Sequence, residues 1–202
     1  MFMRAKTVIK FKNYWLDHLK YKDHTDYDLA GPVQAIALKS ESGSVYDFYR
    51  SNALEQPKDF KYTKLYEVSD DIADIVDFFK LDTTRIRIHK QSPNSTVKLH
   101  TDDNNTAAKS KEDYRLRLIT ALNGDDNFVY KFEVDGVLHE FSLKQGESVI
   151  FDPDKVKHGM ENLSSTKNRY ALVQIFRAYP MSEWLKNFIN QEQSINVSPV
   201  VV

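Results

Sequence analysis

The sequence predicts a mainly β protein with flanking helices, an α+β chain whose antiparallel core is a sandwich, barrel or jelly roll. Three observations predict it. From about residue 84 onward, seven short segments rich in β-branched and aromatic residues follow one another, and most alternate apolar with polar positions. Turn signals separate them: Asp135-Gly136 is the two-residue pattern of a primed hairpin turn, and Gln145-Gly146 marks another turn. Helical periodicity, by contrast, is confined to the flanks.

Taken in order, "PVQAIALKS" (32–40) reads as a strand and "SVYDFYRSN" (44–52) as a short helix. "SDDIADIVDFFKL" (69–81) is the clearest helix, with Ser69 as its N-cap, acids in its first turn, and Ile72, Ile75, Phe78 and Phe79 near one face. The seven strands follow at 84–90, 95–100, 114–122, 127–134, 136–143, 147–151 and 169–176. A further helix, "MSEWLKNFINQ" (181–191), precedes the tail "SINVSPVVV". The expected organisation is a single domain over 1–202. Its mixed N-terminal portion (1–83) packs on a β-core (84–177), and a C-terminal helix and tail (178–202) follow.

Composition narrows the chemistry. Lys+Arg total 28 against Asp+Glu 29, a net charge of −1 that gives no electrostatic footprint for nucleic acid or an anionic membrane. No run approaches the length of a membrane span, and the start "MFMRAKTVIKFKNYW" has no apolar signal region, so a cytoplasmic protein is expected. The absence of cysteine excludes disulfides, thiolate metal sites and a cysteine nucleophile. A metal would have to use His, Asp or Glu.

Such a set exists. His100 and Asp102 stand two apart at the end of the strand "STVKLH", a spacing that puts side chains on one face of a strand. His158 lies just after the strand "ESVIF", across a turn built from Asp152, Pro153 and Asp154. Two histidines and one carboxylate form the facial triad of non-haem Fe(II) oxygenases, which leaves three cis positions for a bidentate oxo-acid and O2. The far carboxylate of that oxo-acid needs a cation, and Arg169 begins the next strand, with a planar fork suited to paired hydrogen bonds. An HxD pair alone occurs by chance in many chains, whereas the order HxD…H…R on successive strands is specific. His89, on the strand "RIRIHK", reads as a structural histidine.

Over roughly residues 84–177 the chain resembles the aspartyl/asparaginyl β-hydroxylase branch of the 2-oxoglutarate/Fe(II) oxygenases. The resemblance rests on "RIRIHKQSPNSTVKLHTD", on "YRLRLITAL", and on "GESVIFDPDKVKHGMENLSSTKNRYALVQIF". It implies a double-stranded β-helix, a cupin-like jelly roll, in which His100 and His158 bind iron and Arg169 grips the distal carboxylate of 2-oxoglutarate. Asp102 fits the general triad, although some members of the branch lack this carboxylate. Arg117 falls where the family places an arginine near the cosubstrate or its succinate product. Two features depart from the pattern: Ile119 stands where some members carry a histidine, and residues 103–113 lengthen the segment after HxD, as an inserted lid would.

The function expected is therefore an Fe(II)/2-oxoglutarate-dependent dioxygenase. It would hydroxylate an amino acid or a peptidyl Asp/Asn/Pro-type residue and release succinate and CO2. Its partners would be 2-oxoglutarate, O2 and that substrate, with the oligomeric state left open. Two rivals keep the same β-core: a cupin-like metal-binding protein without turnover, and a His/Asp-metal hydrolase or isomerase. A hydrolase needs no cation for an oxo-acid, so Arg169 separates it from the oxygenase.

Overall fold

The structure, a computed structural model, describes residues 2–6, 15–23, 33–47, 59–79, 81–102 and 114–178. Twelve strands occur among them: β1 (Phe2–Lys6), β2 (Lys22–Asp23), β3 (Val33–Ser40), β4 (Lys61–Tyr62), β5 (Thr83–Gln91), β6 (Ser95–His100), β7 (Tyr114–Ala121), β8 (Phe128–Val134), β9 (Val137–Ser142), β10 (Glu147–Phe151), β11 (Lys157–Asn162) and β12 (Arg169–Ala178). Two helices, α1 (Lys64–Glu67) and α2 (Asp70–Phe78), and a 3-10 turn at Leu16–His18 complete the described elements. No helix among the described residues is long and apolar enough to cross a membrane.

The eight strands β5–β12 are dealt between two antiparallel sheets in the order of a double-stranded β-helix. β10-β7-β12-β5 forms the middle of the larger sheet, and β6-β11-β8-β9 is the smaller one. The N-terminal residues extend the larger sheet at both ends, β1 pairing with β10, and β3 then β2 continuing from β5.

Alternation along the strands divides the larger sheet into two faces. Its outer face carries Ile36, Leu38, Ile86, Ile88, Tyr170 and Leu172, covered by Leu16 and by Ile72, Ile75 and Val76 of α2. Its inner face meets the smaller sheet in a second cluster, where Ile119, Ala121, Val149, Phe151, Ala171 and Val173 pack on Tyr130 and Phe132. Burying each such Leu, Ile or Phe contributes about 1.5–3 kcal/mol, so the two clusters hold the sandwich without help from disulfides.

The sequence-based elements meet the structure as follows. All seven expected strands of the core form, and the Asp135-Gly136 turn has the positive φ values of 50° and 78° that a primed turn requires. α2 begins after Ser69, but the Ser69 side chain makes no capping hydrogen bond. The expected helix at 44–52 is corrected where it can be seen: residues 44–47 form a turn, closed by Ser42 N–H donating to Asp47 Oδ2, and its remainder lies outside the described residues. The expected helix 181–191, the tail and the lengthened segment 103–113 also lie outside them.

One core strand escaped the sequence pattern. β11, "KHGMEN", has little β propensity, yet it pairs on both sides, with β6 and with β8. Its register with β6 is broken: His158 faces His100 while Met160 faces Val97, so Lys98 and Leu99 together oppose Gly159. This β-bulge decides the site. Val97 points inward, and unbroken alternation would turn His100 outward; the extra residue reverses it, leaving Leu99 38% exposed and His100 inward. His100 and Asp102 therefore converge because of a bulge and the loop after it, not because of strand alternation.

Gly159 makes the bulge possible. A Cβ there would lie 2.8 Å from Val97 O and 3.1 Å from Leu99 N, both backbone atoms of β6. Gly159→Ala should cost about 1–3 kcal/mol of stability through overpacking, and should weaken metal binding by displacing His100. Thermal denaturation and calorimetric Mn(II) titration of the variant check this; a parent-like melting temperature and affinity would show that β6 has room to yield.

Candidate metal centre

His100, Asp102 and His158 each offer a ligand atom, all within 4.8 Å of one another. The imidazole rings lie 4.5 Å apart between centroids. Each histidine donates Nδ1–H to the carbonyl two residues before it, His100 to Lys98 O at 2.8 Å and His158 to Val156 O at 3.0 Å. That pairing fixes the tautomer and makes Nε2 the lone-pair nitrogen of both rings. The two Nε2 atoms stand 3.7 and 3.6 Å from Asp102 Oδ1. Burial, followed by the nearby Arg117 charge, pushes the His158 pKa down to about 3, so the ring is neutral at pH 7, the form that binds a metal.

Asp102 is 3% exposed and sits beyond the end of β6. Its backbone N–H donates to Pro153 O at 2.8 Å, tying the exit of β6 to the turn that leads into β11. Asp152 orders that turn: its side chain accepts from Asp154 N–H at 3.0 Å and its carbonyl from Val156 N–H at 2.9 Å. Asp102 also accepts a hydrogen bond from Arg117 Nη2 at Oδ2, while Arg117 Nη1 faces His158 Nε2 at 3.1 Å. Arg117 thus stands directly beside the triad.

Arg169 is 1% exposed and opens β12. Its guanidinium carbon lies 4.3 Å from the Tyr130 ring centroid. Nη1 reaches Met160 Sδ at 2.8 Å and Gln91 Oε1 at 3.3 Å. Nε, Nη2 and the Tyr130 hydroxyl are buried and have no hydrogen-bond partner among the described residues. An uncompensated buried guanidinium is costly, and a carboxylate ligand would relieve that cost. Met160 is the next inward residue after His158 on β11 and pairs with Tyr130 on β8, so the arginine and the triad share one wall of the sandwich interior.

Asn162 holds this corner together. Its Nδ2 lies 3.1, 3.0 and 2.9 Å from the carbonyl oxygens of Gln91, Ser92 and Lys167, binding the end of β5 to the loop that delivers Arg169. Asn162, Tyr130 and Gln91 carry no motif. The sole hint in the sequence is the alternation of "NFVYKFEV", which puts Phe128, Tyr130 and Phe132 on one face.

The donor set fits a divalent metal: two neutral imidazoles presenting Nε2 and one carboxylate, all three converging. The unpartnered atoms of Arg169 and Tyr130 fit the far carboxylate of a bound oxo-acid.

No family model and no curated protein matches this sequence. Solved structures do share its fold. The non-heme alpha ketoglutarate dependent epimerase SnoN from nogalamycin biosynthesis is 12% identical over 88% of this chain and 79% of its own, with a TM-score of 0.54. An oxidoreductase of the 2OG-Fe(II) oxygenase family from Burkholderia pseudomallei is 15% identical over 79% of this chain and 72% of its own, with a TM-score of 0.50. At these identities the likeness is one of fold: the chain is built on the double-stranded β-helix that these oxygenases use.

Proposed function

We propose that the protein is an Fe(II)- and 2-oxoglutarate-dependent dioxygenase, related to the aspartyl/asparaginyl β-hydroxylase branch, that hydroxylates an amino acid or a peptidyl residue. His100, Asp102 and His158 would hold the iron, and Arg169 with the Tyr130 hydroxyl would bind the distal carboxylate of 2-oxoglutarate. With iron and cosubstrate bound, the site would supply O2 activation and C–H hydroxylation, with release of succinate and CO2.

The chain's own groups have distinct tasks. The Nδ1–H bonds to Lys98 O and Val156 O orient both imidazoles. The Phe151 ring, 4.8 Å from that of His158, closes one side against water. His158 Nε2 has one lone pair, so it would serve either Arg117 Nη1 or a metal, while the Arg117 hydrogen bond to Oδ2 would hold the Asp102 carboxylate in place.

One observation carries the reading: a fully buried arginine, with two nitrogens unpartnered among the described residues, touches Met160 on the strand that carries His158 of a His-Asp-His cluster. A hydrolase or an inert cupin has no use for that cation. Anaerobic titration with Fe(II) and then 2-oxoglutarate tests metal and cosubstrate together. A metal-to-ligand absorption band should grow to one equivalent, and its absence at saturating concentrations of both would overturn the oxygenase reading.

A further inference from the structure

We propose that Gln91 is a positioning residue: it brackets the Arg169 guanidinium at one corner and leaves the opposite edge, with its full charge, to the distal carboxylate of the cosubstrate. Its part in cosubstrate binding rests on the oxygenase reading; its hold on Arg169 does not.

Gln91 ends β5. Ile86 and Ile88 of that strand join the outer core, so by alternation Arg85, Arg87, His89 and Gln91 face inward. Gln91 is 1% exposed and stands opposite Arg169 in the β5–β12 ladder. Its Oε1 accepts from Arg169 Nη1, and its Nε2 donates to Ser95 O at 3.0 Å. A guanidinium only donates and a carbonyl only accepts, so these two partners admit a single orientation of the amide. The main chain of Gln91 is held as well, its carbonyl accepting from Asn162 Nδ2.

Which nitrogen is held matters. Both polar contacts of the guanidinium, with Gln91 Oε1 and Met160 Sδ, fall on Nη1. The N–H bonds of Nε and Nη2 run side by side along the other edge of the group, the edge that grips a carboxylate with paired bonds. Among the described residues those two nitrogens have no partner. Gln91 therefore fixes the fork without occupying the edge that would bind.

The partner is also neutral. Arg169 meets an amide, a thioether and the Tyr130 ring, and no carboxylate among the described residues. A glutamate at position 91 would have nearly the same shape. It would pair with the guanidinium from within and cancel the charge that the cosubstrate needs. The other half of the amide adds a second tie. Ser95, which accepts from Nε2, opens β6, the strand that ends in His100, and Ser95 Oγ donates to Ser92 O at 2.6 Å across the turn between β5 and β6. The fork and the metal-binding strand thus share one anchor.

The test uses the full chain loaded with Mn(II) under argon. It is titrated by calorimetry with 2-oxoglutarate and with 2-oxopentanoate, which has the same length but no distal carboxylate. Gln91→Glu should weaken 2-oxoglutarate by roughly 30-fold or more, as the loss of a buried charge pair does, and leave the affinities for 2-oxopentanoate and Mn(II) unchanged. General damage to the fold would weaken all three. Gln91→Met, similar in size but without the amide, should weaken 2-oxoglutarate by roughly three- to tenfold, because the ligand must then order the fork itself. The Arg169 Nε–H resonance of the isotopically labelled, metal-free protein, assigned by its loss in Arg169→Lys, reads the fork without any cosubstrate. It should exchange with solvent faster in Gln91→Met, while the other arginine Nε–H signals keep their rates. Parent-like 2-oxoglutarate affinity in both variants, with unchanged exchange, overturns the bracket, and so do equal losses for the two oxo-acids. If the parent takes no 2-oxoglutarate but Gln91→Met frees the Arg169 signal, the bracket stands and the oxygenase reading falls.

Discussion

His158→Ala should remove metal binding and 2-oxoglutarate turnover together. The ring supplies one of three protein donors, and no other His, Asp or Glu among the described residues completes a competing cluster with His100 and Asp102. Groups that merely orient a ligand change metal affinity by about 10–100-fold, so loss of a donor should exceed 100-fold. The substitution acts a second way: it deprives Arg117 Nη1 of its acceptor and leaves that guanidinium paired only with Asp102, which screens the carboxylate that a metal needs. The variant should fold, because His158 belongs to neither hydrophobic cluster and its ring meets the second one at Phe151. Circular dichroism establishes the fold, and calorimetric Mn(II) and Fe(II) titrations read the loss. Parent-like affinity in a folded variant would place the metal elsewhere.

The fold and the site were legible in the sequence to different depths. β5–β10 and β12 announce themselves because they are rich in β-branched and aromatic residues, most of them alternating with polar ones. β11 does not, because its inward residues are His158, Met160 and Asn162, which are there for polar work and break the apolar rhythm. That is also why the most informative strand for function was the least visible. His100 and Asp102 could be picked out as a pair, but the reason they converge could not. It lies in a register break against Gly159, and register belongs to two strands at once.

The N-terminal strands β1 and β3 extend the core sheet, a partnership that depends on residues 47 or more positions away. Arg117 could be picked out from its "RLR" strand, but its contacts with Asp102 and His158 could not. The arginines of "RIRIHK" were visible only as a pattern; the pairing of β5 with β12 turns Arg85 and Arg87 toward the interior.

Arg169→Ala should separate the cosubstrate from the metal. The hydrogen bonds and ring contact of Arg169 go to Gln91, Met160 and Tyr130, not to His100, Asp102 or His158. Metal affinity should therefore stay within about twofold of the parent, since the hydrogen bonds that orient the two histidines and Asp102 are untouched. Binding of 2-oxoglutarate should suffer heavily. Truncating one partner of a buried charge pair costs about 2–5 kcal/mol, which is roughly 30-fold or more in dissociation constant. Arg169→Lys should recover only part, because an ammonium keeps the charge but cannot form paired bonds or stack flat on the Tyr130 ring.

Tyr130→Phe gives the finer reading. It keeps the ring under the guanidinium and removes only the unpartnered hydroxyl, so it should weaken 2-oxoglutarate by the value of one hydrogen bond to a charged group, about 1.5–3 kcal/mol. In the absence of 2-oxoglutarate, the same change should leave stability unaltered or raised, since a buried hydroxyl without a partner is a cost. Calorimetry with 2-oxoglutarate on the Mn(II)-loaded proteins, together with thermal melts of the metal-free ones, resolves these effects. If Arg169→Ala binds 2-oxoglutarate as the parent does, the carboxylate clamp is elsewhere and the buried guanidinium is structural. The hydrolase and inert-cupin readings would then account for the same His-Asp-His cluster without it.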